Sequence, residues 1–557
     1  MAIACSGAEN GGDPSGQGGA GGAASAGGAT ANGGVEVSGA QNGSAGENAG
    51  MGGSDSSDGA AGQGHEQGGA AGNDTPSAAA GAAGDGLGGN AGAATAGDTA
   101  GAGGEDDGSN ANTEPHWLSF NQQQGSFVYD VSRFPDSSAL FKLTSKTNGT
   151  DSPLGPWSPD GRSLLYFDYQ DIYCRDMTQA TPGPARLIAA TPTVPDFTAS
   201  TVTRLSWSGD SASAALVTGT SLVVFDPRQD NPTFQTVTTS IQAATWAPMG
   251  NHLLYRDATG FHVVAVDAGQ PSVSQPLDIT VFRSWSSDGK SLAVSNGPTL
   301  YLVDVTGASL VTTAVTSPAG MPQVSAVRFS PDGKSLAFIA VLSRPKPDLF
   351  YARLDNLAAP QAITAGLPAS ARVANFTFWS PDGRWLGFTI SDGLNTVWQA
   401  ANVSGDTPGA PFSIKPQATT NYSWLTKRPN TFVAYSTSFV TYDLSTPEIE
   451  PVPVLKAALS LSALSPRGDW LAADDVDAVA MRNLNTLTEA ADIRVHLSSS
   501  TNQLLWSPDG QFLSIIASQQ GYVQGLIRVD GSAPSAPVFL SPASGGNILA
   551  YWQPVFR

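Results

Sequence analysis

Trp379-Ser-Pro-Asp-Gly-Arg-Trp-Leu-Gly-Phe388 places an aromatic residue, a tight-turn tetrapeptide and an alternating apolar run side by side. Proline presets φ for the second position of a turn, aspartate suits the third, and glycine supplies the left-handed residue that closes it. The aromatic residue ends one strand, and the alternation after the glycine starts the next. The stretch therefore reads as a β-hairpin corner, and it recurs. Trp157-Ser-Pro-Asp-Gly-Arg-Ser-Leu-Leu-Tyr166, Phe329-Ser-Pro-Asp-Gly-Lys-Ser-Leu-Ala-Phe338 and Trp506-Ser-Pro-Asp-Gly-Gln-Phe-Leu-Ser-Ile515 repeat it, and Trp285-Ser-Ser-Asp-Gly-Lys-Ser-Leu-Ala-Val294 differs only at the proline.

Weaker copies begin at Trp207, Trp246 and Leu464, and the weakest at Phe120, followed by Asn-Gln-Gln-Gln-Gly. At Trp424 the turn reads as widened over Thr426–Asn430, with its strand resuming at Phe432. The leading residues lie 37 to 50 positions apart. That spacing is one four-stranded blade per copy. A third strand ending in Asp follows each hairpin, as in Leu222–Asp226, Val263–Asp267, Leu300–Asp304 and Leu526–Asp530. A variable fourth strand then leads to the next aromatic residue.

Residues 116–557 are thus expected to form an all-β propeller of about ten four-stranded blades. One continuous ring is expected, since no linker interrupts the repeats; two smaller rings are the alternative. Ile548-Leu-Ala-Tyr-Trp552-Gln-Pro reads as a terminal strand able to pair with the blade of Phe120 and close the ring. The repeated Asp160, Gly161, Asp288, Gly289, Asp332, Gly333, Asp382, Gly383, Asp509 and Gly510 are read as structural turn residues rather than acid–base or calcium groups. The repeat resembles the TolB-like propeller repeats of bacteria, relatives of the WD-repeat propellers. That resemblance covers essentially all of 116–557 and implies contact with a protein partner.

Residues 1–115 are of another kind. They contain no Lys or Arg and hold more than half of the 63 glycines. Such a composition cannot bury enough apolar surface to offset the entropy of ordering it, so a disordered, low-complexity tether is expected. Fourteen of the 47 acidic residues lie there, so the formal charge of −20 falls to −6 over the remainder, with 33 acidic and 27 basic residues. No basic run suited to a phosphate backbone is visible, and nucleic-acid binding is not expected. No apolar run of membrane-spanning length occurs.

Met1-Ala2-Ile3-Ala4-Cys5 followed by Ser6-Gly7 resembles the end of a bacterial lipoprotein signal, which implies Cys5 as a lipid-anchor residue. The basic start and apolar stretch of a complete signal are not in the sequence, and Ala2 stands where that pattern prefers leucine. A long basic-poor tether suits a head held off a membrane. The other reading makes Cys5 an incidental thiol of a cytoplasmic scaffold. Cys174, in the strand pattern Asp171–Cys174, is expected to be a buried apolar residue rather than half of a disulfide.

Catalytic patterns are not found in the sequence. His252 and His262 flank one hairpin, but no His-Glu-x-x-His or Cys-x-x-Cys accompanies them, so no metal site is expected. Gly-Lys-Ser at Gly289 and Gly333 opens strands and lacks the earlier glycine of a phosphate loop. No Gly-x-Ser-x-Gly elbow occurs, and the sequence closes at Arg557 just after the last strand, so a following hydrolase domain is not expected. Lys427 and Arg428, with Arg344 and Lys346, are the nearest thing to a basic loop feature. The expectation is a monomeric, cofactor-free, protein-binding or scaffolding propeller at the bacterial cell envelope. The alternative is a propeller lyase or hydrolase acting on a glycan at the channel mouth.

Overall fold

A computed structural model describes residues 116–554 apart from short connecting segments at 123–124, 145–153, 169–170, 191–201, 316–322, 342–346, 369–370, 392–395, 415–420, 436–438, 446–451, 456–460, 476, 486–491, 498–500, 519–520, 530–532 and 541–547. Cys5, Arg344 and Lys346 lie outside the described residues.

Ten antiparallel sheets follow one another along the chain. Blade 2 shows the pattern: Leu154–Trp157, Ser163–Asp168, Asp171–Asp176 and Arg186–Ala189 pair in that order. Blades 3 to 10 span residues 202–238, 243–277, 281–314, 323–362, 372–414, 421–455, 462–496 and 501–539. The fourth strand of blade 4 is broken into Gln270–Pro271 and Gln275–Leu277. Blade 1 is assembled from both ends of the described chain. Leu549–Trp552 is its first strand, and Trp117–Gln122, Gly125–Asp130 and Leu140–Lys142 are the second, third and fourth.

This placement corrects the reading of Phe120. Phe120 sits inside a second strand, opposite Ala550 and Phe127, so the hairpin after it joins second strand to third and is not the recurrent corner. Trp552-Gln553-Pro554 takes the corner position of blade 1. Gln553 N–H donates to Trp117 O at 3.0 Å and Gln553 Oε1 accepts from Trp117 N–H at 2.9 Å. The widened turn at Trp424 is corrected as well. Leu425 pairs with Arg428 around a two-residue turn, and the extra residues form a bulge within the strand.

The core is not a single body. It consists of ten buried apolar clusters, each made by two consecutive blades. One joins blade 10 to blade 1 through Phe512, Ile516, Leu526 and Leu540 against Leu118, Phe120 and Tyr129. With every interface filled, including last to first, the blades form a single closed ring. Closure also gives both terminal segments hydrogen-bonded partners, so the seam has no open sheet edge.

The aromatic residues before the corners bridge the blades. Trp207 Nε1 donates to Pro156 O, Trp506 Nε1 to Ala463 O and Trp552 Nε1 to Leu505 O, at 2.9 to 3.0 Å. Trp157 Nε1 reaches Ser119 Oγ at 2.9 Å. At these four corners a large apolar ring fills the wedge between blades while its one polar atom is satisfied; among the described residues the Nε1 atoms of Trp246, Trp285 and Trp379 are buried with no hydrogen-bond partner. Cys174 is buried in the cluster between blades 2 and 3, and burial pushes its thiol up.

Candidate functional site

Two parts of the ring can meet a partner: the face carrying the corners, and the wall formed by the first strands. At each full corner the serine carries as much of the geometry as the aspartate. Ser330 N–H donates to Ser335 O at 2.9 Å, Ser335 N–H donates back to Ser330 Oγ at 2.9 Å, and Ser330 Oγ donates to Asp332 Oδ1 at 2.6 Å. Asp332 Oδ1 also accepts from Lys334 N–H, and Gly333 closes the turn at φ +66°. Asp160, Asp288, Asp382 and Asp509 make the same bonds with Ser158, Ser286, Ser380 and Ser507. In the Leu464 copy Arg467 occupies the aspartate position, and Asp469, one residue past the glycine, accepts from Ser465 Oγ instead. At Trp207 the copy has Ser211 where the others have the closing glycine, and Ser211 takes φ +60°.

A second device repeats at the ends of the third strands. Asp176, Asp304 and Asp443 each accept from the N–H and Oγ of the Thr or Ser two residues on. These Asx turns stop the strand and leave the carboxylates on the corner side of the ring. The terminal Asp of the third strand is legible in the sequence; its Asp-x-Ser/Thr partner is a signal that the strand pattern alone does not single out.

The histidines do not converge. His252 pairs with Ala265 and His262 with Tyr255, three ladder positions apart, or about 10 Å along the strand. His262 stacks on Tyr255 at 5.0 Å and lies 2.8 Å from Thr259 Oγ1 and 3.3 Å from Asp257. Burial pulls the His252 imidazole down, although a backbone bond at Val305 opposes this. Among the described residues no group of three His, Cys, Asp or Glu is placed to hold a metal.

His116 Nδ1 lies 3.5 Å from Asp509 at the closing seam. Burial alone would raise the Asp509 carboxyl, but hydrogen bonds from His116, Ser507 and Gln511, with the charge on His116, hold it below the ordinary carboxylate range. Because the folded value is depressed, this stabilisation is present above pH 4 and is lost as pH falls through the folded value. Asp509→Asn is expected to flatten the acid limb of the stability–pH curve below about pH 4, as read by thermal unfolding between neutral and acid pH.

Neighbouring first strands touch one another between blades 2 and 3, 5 and 6, and 9 and 10, so they stand at the narrow centre of the ring. Fourth strands such as Val311–Ala314 are exposed at the outside. The ten first strands contain no Asp, Glu or His, and their only charged residues are Arg204, Arg283, Arg328 and Arg372, on blades 3, 5, 6 and 7. Three of the four sit at ladder slips: Arg283 is the extra residue between Phe282 and Ser284, and Arg204 and Arg328 follow extra residues directly. A bulge re-aims the side chains beside it.

Arg204 Nη1 donates to Ala244 O at 2.8 Å, and Arg283 reaches Ser295 Oγ at 3.2 Å and the carbonyl of Val324. Each thereby ties the first strand of its own blade to the next. The basic loop feature is different in character: Lys427 lies 3.9 Å from Asp469, and Arg428 donates to Leu484 O.

No protein-family model matches the chain, and no curated protein matches it. Solved structures do. A eukaryotic initiation factor aligns at 11% identity over 79% of this chain and 99% of its own, with a TM-score of 0.48. TolB from Acinetobacter baumannii aligns at 16% identity over 56% of this chain and 81% of its own, TM-score 0.24. An oligogalacturonate lyase in complex with manganese aligns at 16% identity over 50% of this chain and 86% of its own, TM-score 0.31.

Proposed function

We propose that the chain is a non-catalytic protein-binding or scaffolding propeller, displayed at a bacterial cell envelope on the tether of residues 1–115 and anchored through Cys5. The observation that carries the binding part of this reading is the make-up of the channel wall. First strands supply arginine, serine, threonine, asparagine, glutamine and apolar groups, which suit recognition. General acid–base chemistry on a glycan calls for paired carboxylates or an imidazole facing the substrate. The corner aspartates are engaged in their own turns, where Ser Oγ and backbone N–H groups occupy them. A ring closed on itself is a stiff frame on which loops and a channel hold their shape.

The anchor is tested by fractionating cells that express the full chain or its Cys5→Ser variant. The full chain is expected in the membrane fraction and the variant in the soluble fraction. Retention of the variant on membranes would refute the anchor.

A further inference from the structure

We infer that the arc of channel wall formed by blades 3 to 7 is a binding site for an extended acidic peptide segment of a partner protein. The inference deepens the binding reading above and rests on it, since it names the ligand chemistry of the same ring.

The first observation is charge segregation. The residues after the tether carry a net −6, with 33 acidic residues, yet none of these lies on a first strand. The four charges on that wall are all arginines, and they crowd into one half of the ring. Arginine presents a flat fork of donors that matches a carboxylate.

The second observation is that these arginines lack carboxylate partners, whereas others in the protein have them. Arg353 pairs with Asp355 and Asp406 at 2.8 Å, Arg133 with Asp136 at 2.7 Å and Arg228 with Asp226 at 2.9 Å. On the wall, Arg204 and Arg283 give hydrogen bonds to uncharged acceptors, and Arg328 and Arg372 are exposed with no hydrogen bond or ion pair among the described residues. Arg204 and Arg283 have a structural role in joining blades. Arg328 and Arg372 have none, and an exposed guanidinium without a partner is free to take a ligand carboxylate.

The third observation is the slipped ladders. An inner strand can be built without a bulge, as blade 4 shows over Ala243–Trp246. First-strand ladders slip in blades 2, 3, 5, 6, 7, 8 and 10, and in blades 3, 5 and 6 the slip falls beside Arg204, Arg283 and Arg328, the kind of local irregularity that turns a side chain away from its blade.

Spacing decides between a small anion and a chain. Packed sheets stand about 10 Å apart, so the wall from blade 3 to blade 7 covers up to about 40 Å. No single small anion spans that. An extended peptide advances about 3.3 Å per residue, so a segment of about twelve residues covers that arc; because Arg328 lies at the corner end of its strand and Arg372 at the far end of its own, the segment would cross the wall obliquely. A peptide with carboxylates on alternating residues could present one row of them to the wall while its other side chains face the open channel.

The test uses the full chain and a fluorescein-labelled poly-glutamate peptide of about twelve residues, the length set by the chain rise above, read by anisotropy. Binding is expected at low salt and is expected to weaken as the Debye length shrinks. Arg328→Gln with Arg372→Gln, which breaks no bond in the fold, is expected to weaken binding at least about tenfold, the effect of losing two charge-assisted contacts. Arg353→Gln, on a paired arginine away from the wall, is expected to leave it unchanged. Equal binding by the double variant, or no binding by the unaltered chain, overturns the inference. So does binding of an oligogalacturonate in place of the peptide. A partner recovered from membranes by the Arg328/Arg372 variant as well as by the unaltered protein would leave the scaffolding reading standing while this inference falls.

Discussion

Gly289→Ala is expected to unfold the propeller far more readily than Gly250→Ala, although both glycines sit at equivalent corners with positive φ, +70° and +79°. A Cβ at Gly289 would stand 2.1 Å from the carbonyl oxygen of Met249, in the corner of the preceding blade. A Cβ at Gly250 would meet open space. Gly250→Ala therefore pays only for the left-handed backbone, about 1–2 kcal/mol. Gly289→Ala adds a collision between two backbones that neither can relieve by turning a side chain. Its loss should exceed the roughly 4–5 kcal/mol that marks the upper end for single substitutions. Urea unfolding of the two variants beside the unaltered protein measures the difference. Equal losses would mean that consecutive corners do not nest as described.

Removing residues 548–557 is expected to have a still larger effect. Leu549–Trp552 is the first strand of blade 1, and its loss opens the ladder to Leu118–Asn121. Ile548 and Ala550 leave the cluster between blades 10 and 1, and Gln553 leaves Trp117 and Gly161 without their hydrogen bonds. The interfaces from blade 2 round to blade 10 are untouched, so the damage is confined to blade 1 and its two neighbours at the seam. The truncated chain should expose an unpaired strand edge and self-associate. Size-exclusion chromatography should show oligomers and a depressed melting temperature. A monomer that melts with the full chain would show that the seam contributes nothing.

The fold was legible because its decisive signal is local and repeated. Pro-Asp-Gly after an aromatic residue fixes a hairpin wherever it stands, and several clear copies make the weaker ones at Trp207 and Leu464 readable by spacing. Legibility failed where chemistry was displaced from its usual position. Phe120 looked like a degenerate corner because the real corner of that blade, Trp552-Gln553-Pro554, lies more than four hundred residues away along the chain. At Trp424 the extra residues before Phe432 read as a widened turn, yet a bulge absorbs them inside the strand. Bulges carry no side-chain signature of their own, and for that reason the arginines of the channel wall were not visible as a set. Arg204, Arg283 and Arg328 stand three, two and one residues before their aromatic residues. No slip separates Arg204 or Arg328 from its aromatic residue, so their odd spacings share a face; Arg283, at an even spacing, joins them only as the extra residue of a slip.

Single-particle images of the purified full chain, averaged in the view down the ring axis, test the architecture most directly. Ten equal lobes around one central opening are the result that this structure requires. Two smaller rings, or a ring of any other number, would contradict it, and the arc of arginines would lose the wall on which it stands.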